Sequence, residues 1–176
     1  MVQISKALES NKSIKSLNLY RNIFDVDGAR ALGNALKKNS TLEMIDIGHN
    51  RIRITGLSSI VQGILANATS KVSALCIKSN FISDEGFTQL FEQLVLPKTG
   101  RPQRLTKLWL KSNFMSEYHK RHLHQRCQEA GLIGQIYIDD FEVVPKLDKS
   151  VVDRSIWVAP VPMGYAADSM DVFFSE

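Results

Sequence analysis

Residues 14–65 read IKSLNLYRNIFDVDGARALGNALKKNSTLEMIDIGHNRIRITGLSSIVQGIL, and one pattern is written in them twice. Ile14, Leu17, Leu19, Asn22, Gly28, Leu32 and Leu36 return 28 residues later as Leu42, Ile45, Ile47, Asn50, Gly56, Ile60 and Ile64. Matches of residue class at one fixed offset mark an internal repeat, and a period of roughly 20–50 residues marks a stacked array. Each unit carries two periodicities. Leu17 and Leu19 alternate with Asn18, as a strand with one buried face requires. Leu32 and Leu36 are four apart, on one face of a helix. Gly28, between the strand pair and the helix pair, permits a close or left-handed backbone. One unit cannot bury its own apolar face, so neighbours must stack.

Working outward, residues 13–40 and 41–70 are the clearest units. Residues 71–104 form a third, with Val72, Leu75, Ile77, Asn80, Gly86, Leu90 and Leu94 at an offset of 30. A breaker-rich insertion follows, Pro97-Lys98-Thr99-Gly100-Arg101-Pro102, flanked by Arg104 and read as a solvated loop. Residues 105–131 form a fourth unit, with Leu105, Leu108, Leu110, Asn113, Met115, Leu123 and Cys127. His119 stands there in place of the glycine, Ser116 is a candidate helix start and Gly131 a candidate stop. Residues 132–138 open a fifth strand with Ile133, Ile136 and Ile138, and the pattern ends at Phe141. Upstream, Ile4 and Leu8 lie 28 residues before Leu32 and Leu36, so residues 1–12 read as the helical half of a unit. Two readings of that start stand: the solenoid continues from a longer chain, or the first helix is its own cap.

The run L-x-x-L-x-L-x-x-N resembles the leucine-rich-repeat family. Its continuation G-x-x-x-L-x-x-x-L resembles the ribonuclease-inhibitor subtype, also seen in NOD-like receptors and in Ran GTPase-activating proteins. The resemblance covers residues 1–138. It implies an α/β solenoid with parallel strands on the concave face, helices on the convex face and a ladder of the repeated asparagines. It also implies a non-catalytic protein-interaction scaffold or adaptor without cofactors. The activity within the subtype, GTPase activation by an arginine, is the alternative, with Arg21 and Arg51 at positions able to present such a group.

Composition sets bounds. The chain has 176 residues, 44% of them hydrophobic, enough for one continuous core. No apolar run approaches the ~18 residues of a membrane span. No signal-peptide pattern opens the sequence, and two cysteines are few for a secreted scaffold, so an intracellular, cytoplasmic protein is expected. Cys76 falls on an outward strand position and Cys127 on an inward helix position, which argues against a disulfide. The net charge of +4 is unevenly divided: residues 139–176 carry eight acids and three bases, against nineteen bases and ten acids in the rest. This acidic segment also holds Pro145, Pro160, Pro162, Trp157, Phe173 and Phe174, too apolar for a simple solvated tail. It reads as a cap on the last repeat, as a segment extended by its prolines that docks on a partner, or as an acidic strip lying on the basic body.

Strand alternation turns the residues between the leucines to the concave side. There the sequence places three aromatics, Tyr20, Trp109 and Tyr137, beside Lys78, Lys107 and Lys111, on a surface expected to be solvated. Aromatic and arginine side chains dominate interface energetics. The expected partner-binding residues are these with Arg21 and His49, and Trp157 in the tail. The competing reading is that Trp109 packs beneath the tail or a loop.

Other chemistries are weakly supported. No phosphate loop or nucleophile motif is present. His119, His122 and His124 near Cys127 resemble a metal cluster, but Leu123 between them argues for a buried face and a solvated basic helix. The pI of 9.1 raises nucleic-acid binding as a second alternative; the basic residues are scattered and no known module is present, so nucleic acid is not the expected partner. Sequons at Asn11, Asn39 and Asn67 are spaced by 28 and read as turn residues of the repeat rather than glycosylation sites.

Overall fold

The computed structural model describes residues 2–96, 104–132, 135–138 and 155–157. The 97–103 insertion, Phe141 and the remainder of the acidic tail lie outside the described residues. Helices and strands alternate in chain order: α1 (Val2–Ser10), β1 (Ser16–Asn18), α2 (Val26–Leu36), β2 (Met44–Asp46), α3 (Arg53–Ala66), β3 (Ala74–Cys76), α4 (Asp84–Leu90), β4 (Lys107–Trp109), α5 (Glu117–Glu129) and β5 (Ile136–Tyr137). Helix α4 runs on into a π-helical turn, Phe91–Val95. A sixth strand, β6 (Ser155–Trp157), completes the sheet, whose order is β5-β4-β3-β2-β1-β6 with every pair parallel. This is an α/β solenoid of leucine-rich-repeat type.

The register aligns Leu17, Ile45, Leu75, Leu108 and Ile136 across the strands. With Leu19, Ile47, Ile77 and Leu110 they meet Leu32, Leu36, Ile60, Ile64, Leu90, Leu94, Leu123 and Cys127 from the helices in one continuous core. Phe87 and Phe91 are its largest fully buried side chains. Ile4 and Leu8 of α1 join that core, as expected of a helical half-unit.

The repeated asparagines carry the polar side of the stack. Asn50 Nδ2 donates to the carbonyls of Leu19, Ile47 and Gly48 at 2.9, 2.9 and 3.0 Å, and its Oδ1 accepts from the amides of Asn22 and Phe24 at 3.0 and 2.8 Å. Asn80 and Asn113 repeat the arrangement one and two units on. Backbone groups that a three-residue strand cannot pair are thereby satisfied. The sequon asparagines form a second ladder at the opposite end of the strands. Asn39 Nδ2 donates to the Leu8 carbonyl at 2.8 Å and Asn67 Nδ2 to the Leu36 carbonyl at 2.9 Å, with both side chains buried. Buried amides holding the preceding unit are structural, in agreement with the turn reading.

The glycines work by close approach. Gly28, Gly56 and Gly86 lie within the first turns of α2, α3 and α4, and a Cβ on Gly56 would stand 2.8 Å from Ala29 Cβ. Two more were not singled out by the pattern. A Cβ on Gly33 would lie 2.3 Å from the Ser59 carbonyl oxygen, and one on Gly63 would lie 2.2 Å from that of Gly33. Helices α2 and α3 therefore pack backbone against backbone. Among the described glycines only Gly131 takes a left-handed φ, +68°, and it follows α5 as the sequence predicted. Ser116 caps that helix by accepting from the His119 amide at 3.1 Å. Cys76 and Cys127 are free thiols.

Candidate protein-binding face

The outward positions of the strands form three rows. Ser16, Met44, Ala74 and Lys107 make the first; Asn18, Asp46, Cys76, Trp109 and Tyr137 the second; Tyr20, Gly48, Lys78 and Lys111 the third. The expectation of a solvated concave face is not met. Met44, Ala74, Cys76, Trp109 and Tyr137 form a second buried cluster, and Trp109 is only 4% exposed. Its ring stacks on Tyr137 at 5.4 Å between centroids. The two aromatics expected as accessible anchors are instead part of a packed floor. The Trp109 Nε1 hydrogen is buried without an acceptor.

Asp46 and Cys76 lie in the same row, fully enclosed. Burial pushes the Asp46 carboxyl above the usual carboxylate range, against the opposing pull of the Gly48 amide and the Lys78 charge. Burial likewise pushes the Cys76 thiol up, with the Asp46 charge adding to it. A thiol of that kind is an unreactive packing group.

Polar and charged groups gather where the strands end. Tyr20 is the hub. The absent side chain of Gly48 leaves a slot that Tyr20 Cδ2 and Lys78 Cγ enter from the two sides, each 3.0 Å from where a Cβ would stand. Lys78 Nζ thus sits 5.1 Å from the centre of the Tyr20 ring and Arg21 Cζ 5.9 Å from it, both in cation–π range. The His49 ring meets Tyr20 edge-on at 5.0 Å and approaches Ser79 Oγ at 3.3 Å. Partial burial, then the charges of Lys78, Arg21 and Lys111, lower the His49 pKa to about 4. A histidine so depressed is a neutral group in a positive local field.

Arg21, His49, Ser79 and Ser112 all hold left-handed φ values between 52° and 58°, each just before a ladder asparagine. Just after it stand Ile23, Arg51, Phe81 and Phe114. Ile23, Phe81 and Phe114 are 42%, 48% and 67% exposed, and the two phenylalanine rings lie 5.5 Å apart. This apolar edge went unnoticed in the sequence, although its signal is there: the residue following each repeated Asn. Lys111 and Lys120 border an open cleft beside it with Ser112, Met115 and Ile138.

The expected site residues therefore divide. Arg21, His49, Lys107 and Lys111 lie at or partly at the surface; Tyr20, Lys78, Trp109 and Tyr137 are buried. The Trp157 backbone occupies a strand position opposite Asn18. The α5 histidines do not converge with the cysteine. Cys127 packs in the core, His122 stacks on Tyr118 and His124 is exposed. Among the described residues there is no group of three metal-ligating side chains and no helix long and apolar enough to cross a membrane.

No protein-family model matches the chain. It is 31% identical over 100 residues to the mouse protein "NACHT, LRR and PYD domains-containing protein 14", an overlap of 54% of this chain but 10% of that protein. The chain therefore spans a small part of that curated relative. Among solved structures, leiomodin-1 actin-binding site 2 superposes with a TM-score of 0.57 at 21% identity, covering 75% of this chain and 79% of that one. The first relative is named for LRR among its domains, and the structural similarity bears on the fold.

Proposed function

We propose that this chain is a non-catalytic protein-interaction module, and that its contact surface is the edge where the concave strands end rather than the concave floor. One observation carries the reading: Phe81 and Phe114 stand together in solvent on the same edge as Arg21 and Lys111, which lie partly at the surface. Exposed aromatics in mutual contact beside cations are the composition of an interface hot spot. Phe81 and Phe114 each follow a ladder asparagine whose four or five side-chain hydrogen bonds fix the loop, so the surface is preorganised and binding orders little. The partner that fits is a protein carrying an acidic segment with an apolar anchor. Leiomodin-1, whose similar fold is described as an actin-binding site, supports protein binding as the class of function.

The test compares three baits in capture from native lysate, with quantitative mass spectrometry: the unaltered chain, Phe81→Ser with Phe114→Ser, and Lys37→Glu with Lys38→Glu on the convex side. A protein retained by the first and third baits but lost from the second supports the edge. Recovery that is equal on all three, or lost on the convex variant instead, refutes it.

A further inference from the structure

Five of the six strands are added in chain order, each one unit after the last; β6 is not. It comes from residues 155–157, yet it pairs with β1 at the far edge of the sheet from β5. That edge is a specific place in the solenoid. Helix α1 packs on α2 as α2 packs on α3, so α1 is the helix of a unit whose strand would lie beside β1. β6 stands in that slot, parallel and in register, with Ser155, Ile156 and Trp157 opposite Ser16, Leu17 and Asn18. The sequence fits the slot. Ser155-Ile156-Trp157-Val158 reproduces the strand pattern of Ser16-Leu17-Asn18-Leu19 and of Lys107-Leu108-Trp109-Leu110, with Ile156 in the row of Leu17, Ile45, Leu75 and Leu108. No helix pattern follows it.

We infer that the outer edge of β1 is a strand-acceptor site, and that Ser155–Trp157 is its intramolecular occupant: a strand motif detached from the repeats that lies in the strand position beside β1. The physical need is plain. An open parallel edge presents a row of unpaired peptide groups and recruits extended chains. A three-residue strand closes it while remaining exchangeable, since it holds few hydrogen bonds.

The ladder provides a site-specific probe. The Leu19 amide donates to the Asp46 carbonyl of β2 at 2.7 Å, and the Lys15 carbonyl accepts from Met44. Alternation then turns the Ser16 carbonyl and Asn18 amide to the other side, toward Ile156. Amide hydrogen exchange would be followed by NMR in the full chain, in Ile156→Pro, and in a chain ending at Ile138 with and without a synthetic peptide of residues 150–162. The Asn18 amide should exchange at least about tenfold faster in Ile156→Pro and in the shortened chain, with Leu19 changed by less than about twofold. Excess peptide should restore Asn18 and a scrambled peptide should not. Unchanged Asn18 protection in Ile156→Pro overturns the inference. So does protection that rises with protein concentration alongside a dimer in light scattering, which would make a second copy the donor. If the shortened chain loses Leu19 protection as well, the proline variant alone decides. Neither result depends on partner capture at the Phe81–Phe114 edge.

Discussion

Replacing Asn50 with Ala would test whether the asparagine ladder, as well as the leucine core, holds the stack together. Asn50 is 2% exposed and makes five hydrogen bonds of 2.8 to 3.0 Å. Three go to carbonyls and two come from the amides of Asn22 and Phe24, across the boundary between units. A hydrogen bond contributes about 1 kcal/mol net, and a buried donor left unmade costs ~1–3 kcal/mol. Some carbonyls keep a second partner, and water can enter near the half-exposed Asn22. The expected loss is therefore about 4 kcal/mol, at the upper end of single substitutions. With a urea m-value near ~2 kcal/mol per molar, the midpoint should fall by ~2 M at unchanged m. Equilibrium unfolding by circular dichroism would read it. The control is Asn34→Ala, whose exposed amide accepts only from Lys37 Nζ at 2.9 Å, with an expected shift within ~0.5 kcal/mol. A loss below about 1 kcal/mol for Asn50→Ala would refute the reasoning, because it would show that the loops satisfy their own amides without the ladder.

Gly63→Ala should destabilise by about 2–4 kcal/mol in the same assay, since the added Cβ would meet the Gly33 carbonyl oxygen at 2.2 Å, whereas Gly131→Ala, with open space but φ +68°, should cost only ~1 kcal/mol. Trp109→Ala should cost ~3–5 kcal/mol and lower the thermal midpoint, because it removes a buried ring from the Tyr137 stack; a stability change below about 1 kcal/mol would return Trp109 to the surface. The His49 imidazole should titrate near pH 4 by NMR, against an ordinary value of 6.5, and Lys111→Ala should raise it. The sign for folding follows: between those two values the unfolded chain binds the extra proton, so stability is lost as pH falls from about 6.5 toward 4, and His49→Gln should flatten that slope. Expressed through a secretory pathway, the chain should show no glycan mass at Asn39 or Asn67, whose amides are bonded into the preceding unit.

The fold was legible because it is periodic. Leu17, Ile45 and Leu75 recur at the spacing that stacking demands, and every unit repeats the same two periodicities, so chance agreement is excluded within three units. Asn22 and Asn39 were legible as turn and ladder residues for the same reason. The glycine contacts at Gly33 and Gly63 were not. They fall outside the repeated positions and depend on the distance between α2 and α3, which no single-unit pattern encodes. The pairing of β6 was equally out of reach, because it joins segments some 140 residues apart, and nothing local in Ser-Ile-Trp-Val says which strand it will meet.

One expectation, that the concave face is solvated, is not met. Alternation correctly assigned Trp109, Tyr137 and Tyr20 to the side away from the helices, but facing away from the core was equated with facing solvent. The row of Asp46, Cys76, Trp109 and Tyr137, with Met44 and Ala74 beside it, is buried and leaves little of itself to a partner. Accessibility passes instead to the positions where the chain turns, in front of and behind each ladder asparagine. The left-handed backbone at Arg21, His49, Ser79 and Ser112 marks that turn in every unit. At the same turns Ile23, Phe81 and Phe114 stand clear of the core. The same asparagine that binds one unit to the next thus fixes the direction in which its neighbours point. A substitution in the ladder should therefore weaken both stability and binding, whereas one at Phe81 or Phe114 should weaken binding alone.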